Sequence, residues 1–188
     1  GSNSSTVAAR AVISSTLIEA CDYLIYCYGD AYPTIDDLSW NGVRYEAIGV
    51  AGTVYGTGSW PNLALPYYVW THLSLEPTAN LTVPSGVALK FQDGAYLRVR
   101  GVLDLQGGPG NETVFTSWHD DSEGGDTNDN GTASLPSAGV WGRIYLEGPL
   151  ASGLSYCRIK YPDYGVYVAP TGSGQTIQPT IAHCEISD

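Results

Sequence analysis

Hydrophobic and polar residues alternate with a period of two in short segments through the middle of the chain. In Val87–Phe91 the residues at every second position are apolar, and Ala88 and Lys90 point the opposite way. No comparable stretch keeps a helical period, and the best helical candidate, 8–18, has three hydroxyl residues at its centre. The pattern therefore predicts an all-β fold, with strands at 81–83, 87–91, 96–99, 102–105 and 113–117.

The connections between these segments are short and rich in Gly and Pro, as in Pro84-Ser-Gly86 and Gln92-Asp-Gly94. They are too short for helical crossovers. Either antiparallel hairpins or the corners of a parallel coil could use them. The shortness of the strands and the lack of a clear hairpin turn favour the coil.

Two recurrences support a coil of stacked turns. The segments 154–159 and 181–186 match position for position at an offset of 27, about one turn of a parallel β-helix. In addition, 154–188 echoes 13–42, at an offset of 141 in the first part and 146 after an extra Gly/Ser loop. We interpret this longer echo as the sign of a tandem array, in which each turn buries its apolar face on the next.

Composition narrows the possible partners. The net charge of −11, with only 8 Lys and Arg, argues against nucleic acid and disfavours anionic membranes. No apolar run approaches the length of a membrane helix, so we expect no membrane insertion. The acidity is instead consistent with solubility and with cation binding.

The stretch from Leu81-Thr-Val-Pro-Ser-Gly-Val-Ala-Leu-Lys-Phe91 through Gly139-Val-Trp-Gly-Arg-Ile144 resembles right-handed parallel β-helix repeat proteins. Such repeats occur in secreted and cell-surface proteins of bacteria and archaea. The resemblance implies a right-handed parallel β-helix, a solenoid, over roughly 63–188. It implies little about activity, because this scaffold serves lyases, hydrolases, adhesins and inert stalks.

Three regions are predicted along the chain. Residues 1–50 form the terminal coils of a preceding unit, and 79–188 form a β-helix unit with an acidic insertion at 119–138. Between them, 51–78 is rich in Gly, Pro and aromatic residues. We predict that it is a junction whose aromatics cap an exposed end of the core.

The acidic insertion carries the clearest chemical motif. Asp126-Thr-Asn-Asp-Asn-Gly131 matches the first half of a calcium loop, but Ser137 stands where an EF-hand has its bidentate Glu. We therefore predict a calcium site that is not an EF-hand. Its candidate ligands are Asp120, Asp121, Asp126, Asn128 and Asn130.

Signals for catalysis are weaker. A lyase would need a basic residue beside calcium, and Arg98, Arg100, Arg143 and Arg158 could face outward on strands. A glycoside hydrolase would need two carboxylates facing one cleft, and Asp104 and Glu147 are candidates that nothing singles out. No catalytic residue is assigned.

The cysteines and aromatics leave alternatives open. Cys157 and Cys184 share one interior position of adjacent turns, where they are either small buried hydrophobes or a disulfide. Tyr156, Tyr161, Tyr164 and Tyr167 cluster on two consecutive segments, as a sugar-stacking surface or as cover for the sheet.

The function that we expect is structural: a calcium-stabilised stalk or adhesin segment of a tandem β-helix array at the cell surface or outside the cell. Its expected partners are neighbouring repeat units of the same chain and, as a further candidate, a cell-surface glycan. The alternatives are a carbohydrate-binding module and a polysaccharide lyase or hydrolase.

Overall fold

The fold, taken from a computed structural model, is described for residues 8–148, 153–174 and 176–188. Every regular element in these ranges is a β-strand. No helix there is long and apolar enough to cross a membrane. The strands are β1 (Val12–Glu19), β2 (Tyr23–Tyr28), β3 (Thr34–Asn41), β4 (Tyr45–Val54), β5 (Thr57–Ser59), β6 (Tyr67–Leu75), β7 (Asn80–Val83), β8 (Ala88–Phe91), β9 (Tyr96–Val99), β10 (Val102–Leu105), β11 (Thr113–Ser117), β12 (Trp141–Glu147), β13 (Leu154–Lys160), β14 (Pro162–Ala169) and β15 (Ile181–Ser187).

All paired strands run parallel, and together they form a β-solenoid of about seven turns, which confirms the predicted fold class. One ladder joins β1 to β3, a second runs β5–β7–β10, and the large sheet holds the remaining strands. β6 is long because it passes round a corner: its first half pairs with β8 and its second half with β9. β6 therefore joins two faces of the coil into one sheet.

Apolar side chains form continuous rows inside the coil. One row carries a side chain from each of seven successive strands, because every strand pairs in register with the next. The inward-facing apolar residues of β8, β9 and β12, such as Leu89, Leu97 and Ile144, are fully buried in this core. The row consists of Ile25, Ile48, Tyr67, Leu89, Phe115, Ile159 and Ile186.

The long sequence echo is also an echo in backbone conformation. Ser15 and Tyr156, which are equivalent in the echo, both have left-handed φ angles, of 45° and 49°. Asp37 and His183 form a second such pair, at 54° and 55°. Non-glycine residues adopt this conformation at an energetic cost, so it rarely recurs by chance at equivalent positions. Turns one and two, which contain β1 and β3, therefore share their local geometry with turns six and seven, which contain β13 and β15.

The ladders pass through the predicted junction at 51–78. This segment contains the end of β4 together with β5 and β6, which pair with strands of the turns before and after them. Of its aromatics, Trp60 and Tyr67 stack inside the coil with ring centroids 4.5 Å apart, whereas Tyr68 faces outward. The division into domains stays a prediction, and residues 1–7 lie outside the described range.

Candidate functional site

The acidic insertion leaves the coil after β11 and returns at β12. The insertion explains why paired strands are unevenly spaced along the chain. Leu97 of β9 and its partner Ile144 of β12 lie 47 residues apart, whereas Ile144 and its partner Val166 of the next turn lie 22 apart. The inserted residues fold back over the outer surface of β4, β6 and β8.

An aromatic cluster lies beneath the start of the insertion. Trp118 stacks on Tyr68 with ring centroids 3.8 Å apart, and Tyr45 lies beside it at 5.7 Å. Tyr68 faces out of the coil but is almost fully buried, because the insertion covers it. Its hydroxyl donates a hydrogen bond to Oε1 of Gln92, and burial raises its pKa. The insertion therefore closes a second, smaller apolar cluster outside the solenoid.

Lys90 of β8 is the buried cation at the centre of this arrangement. Its side chain points outward, as the alternation predicts, and it has no exposed surface. Nζ donates to the carbonyl oxygen of Gly125 at 2.5 Å and to Oγ1 of Thr127 at 2.7 Å. Burial lowers the pKa of Lys90 to about 8, against the opposing effect of nearby carboxylates, first among them Asp121. One lysine therefore ties the middle of the insertion to the sheet.

A second group of cations holds the beginning of the insertion. Nζ of Lys160 on β13 lies 2.9 Å from Oδ2 of Asp120 and 3.2 Å from Oε1 of Glu123. Nη1 of Arg158 reaches the same Glu123 oxygen at 3.0 Å. Burial alone would raise the pKa of Asp120, but hydrogen bonds from Ser122, Thr116 and Lys160 outweigh it and hold the pKa below its ordinary value. The loop is thus bound to two different turns of the column.

The structure places the five predicted calcium ligands in different local roles. Asp120 is engaged by Lys160, and the two carboxylate oxygens of Asp126 accept the amides of Asn130 and Gly131 at 3.2 and 2.8 Å. The Asn130 side chain exchanges hydrogen bonds with Ser134. Three of the five side chains therefore already bind donors or acceptors of the protein itself.

The other two candidates, Asp121 and Asn128, each have a buried Oδ1 atom without a hydrogen-bond partner. The Asn128 amide nitrogen donates to the carbonyl of Trp118 at 3.2 Å. Across residues 8–148, 153–174 and 176–188, no three His, Cys, Asp or Glu side chains are grouped so that they could hold a metal ion. Calcium binding by these five residues therefore stays a prediction.

The four arginines considered for lyase chemistry are all paired with carboxylates. The shortest ion-pair distances are 3.3 Å for Arg98 with Glu147, 3.1 Å for Arg100 with Glu76, 2.7 Å for Arg143 with Asp163 and 3.0 Å for Arg158 with Glu123. Asp104 accepts a hydrogen bond from Thr82 at 3.3 Å. Arg98, Arg100, Arg143 and Glu147 are therefore engaged in structural contacts along the outer ladders, and Arg158 holds the insertion.

Sequence reasoning missed the two lysines that hold the insertion. The available signal was Lys90 itself, a lone cation on the outward face of a strand that is otherwise apolar, in a chain with an acidic loop. A charged residue in such a strand is usually solvent-exposed, and no local pattern indicates that the loop folds back over this particular strand.

Comparison with protein-family models, with curated proteins and with solved structures finds no match to this chain.

Replacing Lys90 should release the insertion. Lys90→Met removes the donor to Gly125 and Thr127 and leaves the nearby carboxylates without their buried cation. We expect the free energy of unfolding to fall by about 1–3 kcal/mol and limited proteolysis within 119–138 to become faster. Arg44→Met is the matched control, because Arg44 contacts the insertion only through an exposed pair with Asp129. Equal cleavage rates in the two variants would contradict the assigned role of Lys90.

The same lysine should give a pH dependence of defined sign. Its pKa of about 8 in the folded chain lies below the ordinary value of 10.5. Between these values the unfolded chain binds more protons, so the part of the Lys90 contribution that is linked to its ionisation rises with pH and is lost as pH falls through 8. Urea unfolding of the wild type and of Lys90→Met, compared from pH 7 to 9.5, isolates this contribution. A difference that stays constant or reverses over this range would show that the lysine is not desolvated.

Proposed function

We propose that this chain is a structural segment of a tandem β-solenoid, a rigid spacer or adhesin stalk outside the cell or at the cell surface, related to secreted β-helix repeat proteins. The observation that carries the proposal is the structural echo between turns one and two and turns six and seven. Thr16 pairs with Leu38 in the first copy, and Cys157 pairs with Cys184 at the equivalent positions of the second. A solenoid whose local geometry recurs can be continued by further units of the same kind.

The last turn carries the interior rows to an uncovered end. Val168 continues the buried position of Leu146 but is 47% exposed, and Ile186 continues that of Ile159 but is 52% exposed. A following turn would bury these side chains, as each earlier turn buries its neighbour.

The outer surface of β2 indicates how a following unit would fit. Tyr26 on β2 lies over Gly49 on β4, where any larger side chain would collide with the ring. Tyr167 on β14 is the equivalent of Tyr26 in the echo, and it is exposed. A unit added in phase therefore places its own copy of Gly49 over Tyr167.

Carbohydrate binding is the alternative that a specific observation favours. Tyr96, Tyr145 and Tyr167 follow one another on successive turns with centroids 5.5 Å apart, and Arg98 and Arg143 lie over their rings. Neighbouring rings meet edge to face, at 82° and 66°, so they do not form one flat platform for sugars. We therefore rank the spacer first. Selective binding on a glycan array that is lost in Tyr167→Ala would reverse this order.

Calcium is retained in the proposal as a stabiliser of the insertion. The buried unpaired oxygens of Asp121 and Asn128 support it, because both are suitable ligands for a hard cation. We expect calcium to raise the melting temperature and EDTA to expose the insertion to protease, with Asp121→Asn weakening both responses. Identical melting curves in calcium and in EDTA would remove the metal and leave the lysine contacts to order the loop.

The spacer proposal predicts how the molecule lengthens. If residues 43–188 are appended after residue 188, the echo continues in phase, and each added unit contributes five turns. At the spacing of parallel strands this adds about 24 Å to the longest dimension, measurable by small-angle X-ray scattering. A control that appends residues 53–188 breaks the phase and should give two bodies with a flexible joint. Flexible scattering from the in-phase chain would contradict the spacer function.

A further inference from the structure

Two thiols meet across the last pair of turns. Cys157 on β13 and Cys184 on β15 are direct partners in the parallel ladder, and their sulfur atoms are 3.0 Å apart. The Cys157 thiol already points at the Cys184 sulfur as a hydrogen-bond donor. Directly paired residues on parallel strands lie about 4.8 Å apart, within the Cα separations of about 4.4–6.8 Å that disulfides span.

We propose that Cys157 and Cys184 are a redox modification site, at which a disulfide joins turn six to turn seven. Both cysteines line an open cleft with Glu112 and Arg158, but the two thiols are unequal in access, because Cys157 is fully buried and Cys184 is half-buried. An external oxidant therefore reaches Cys184 first. The sulfur of Cys157 lies next to that of Cys184 and can then complete the reaction.

The reaction balances with a small-molecule disulfide of the glutathione class as oxidant. The Cys184 thiolate attacks one sulfur of the oxidant, forms a mixed disulfide and expels one thiolate. The Cys157 sulfur then attacks the Cys184 sulfur and expels the second thiolate, which takes up the Cys157 proton. Two protein thiols are oxidised and one external disulfide is reduced to two thiols. Burial raises the pKa of Cys157, which lowers its thiolate fraction and slows this second step.

The position of the pair gives the bond its effect. β15 ends the large sheet and pairs only with β13 among the described strands, so one ladder holds it in place. The disulfide would fix this edge strand covalently across a loop of 27 residues. The equivalent pair in the first turns is Thr16 and Leu38, which cannot form such a bond. The site therefore belongs to the C-terminal turns alone.

The test treats the folded chain with oxidised glutathione and then alkylates it after denaturation. We expect an intact mass lower by two hydrogens, a peptide that links Cys157 to Cys184, and alkylation of Cys21 and Cys27 only. Hydrogen exchange in β15 should slow on oxidation and recover with dithiothreitol. In Cys157→Ala, Cys184 should remain as the glutathione adduct, whereas Cys21→Ala should form the bond as the wild type does.

Three results would overturn the proposal. They are four alkylated cysteines in the treated wild type, a glutathione adduct on Cys184 that persists in the wild type, and a covalent dimer linked through Cys184. Each would show that Cys157 does not reach its partner in solution. Because the measurements follow mass and exchange, they are independent of the length measurement that tests the spacer.

Discussion

Backbone hydrogen bonding between in-register parallel strands fixes the distance between successive turns, and the other features of this solenoid depend on that constraint. Each interior side chain must sit directly on its equivalents above and below, so apolar rows form wherever the sequence supplies apolar residues at matching positions. Ile48, Tyr67 and Leu89 occupy one such row although their shapes differ. The ladder tolerates this variation because it needs matched positions and filled volume rather than identical residues.

The same constraint decides where irregularity is permitted. An insertion between two strands costs little if it leaves the coil at a corner, because the strands on either side still find their partners. This is how β12 pairs with β9 across the long acidic loop. The loop must then satisfy its own polar groups and charges. It does so with the buried Lys90 and the partly buried Lys160, which supply donors where carboxylates and carbonyls crowd together.

Electrostatics and packing act together in this outer layer. In an acidic chain, a buried lysine surrounded by carboxylates is desolvated but not isolated, and its depressed pKa records the balance between these two effects. The aromatic cluster beneath Trp118 excludes water from the same region and strengthens the polar contacts beside it. The insertion is therefore a folded part of the molecule, and any ligand or metal that it binds must compete with contacts that the protein already makes.

Local pattern alone determined most of the coil. The alternation in Val87–Phe91, the short Gly and Pro corners and the offset of 27 between Cys157 and Cys184 identify strands, direction and turn length, because a parallel ladder repeats the same local rule at every turn. The tertiary structure decided what lies outside the coil. No local rule states that the segment around Gly125 returns to cover Lys90, or that Asp120 meets Lys160 of a later turn. Those contacts join residues far apart in sequence and arise only once the column exists to bring them together.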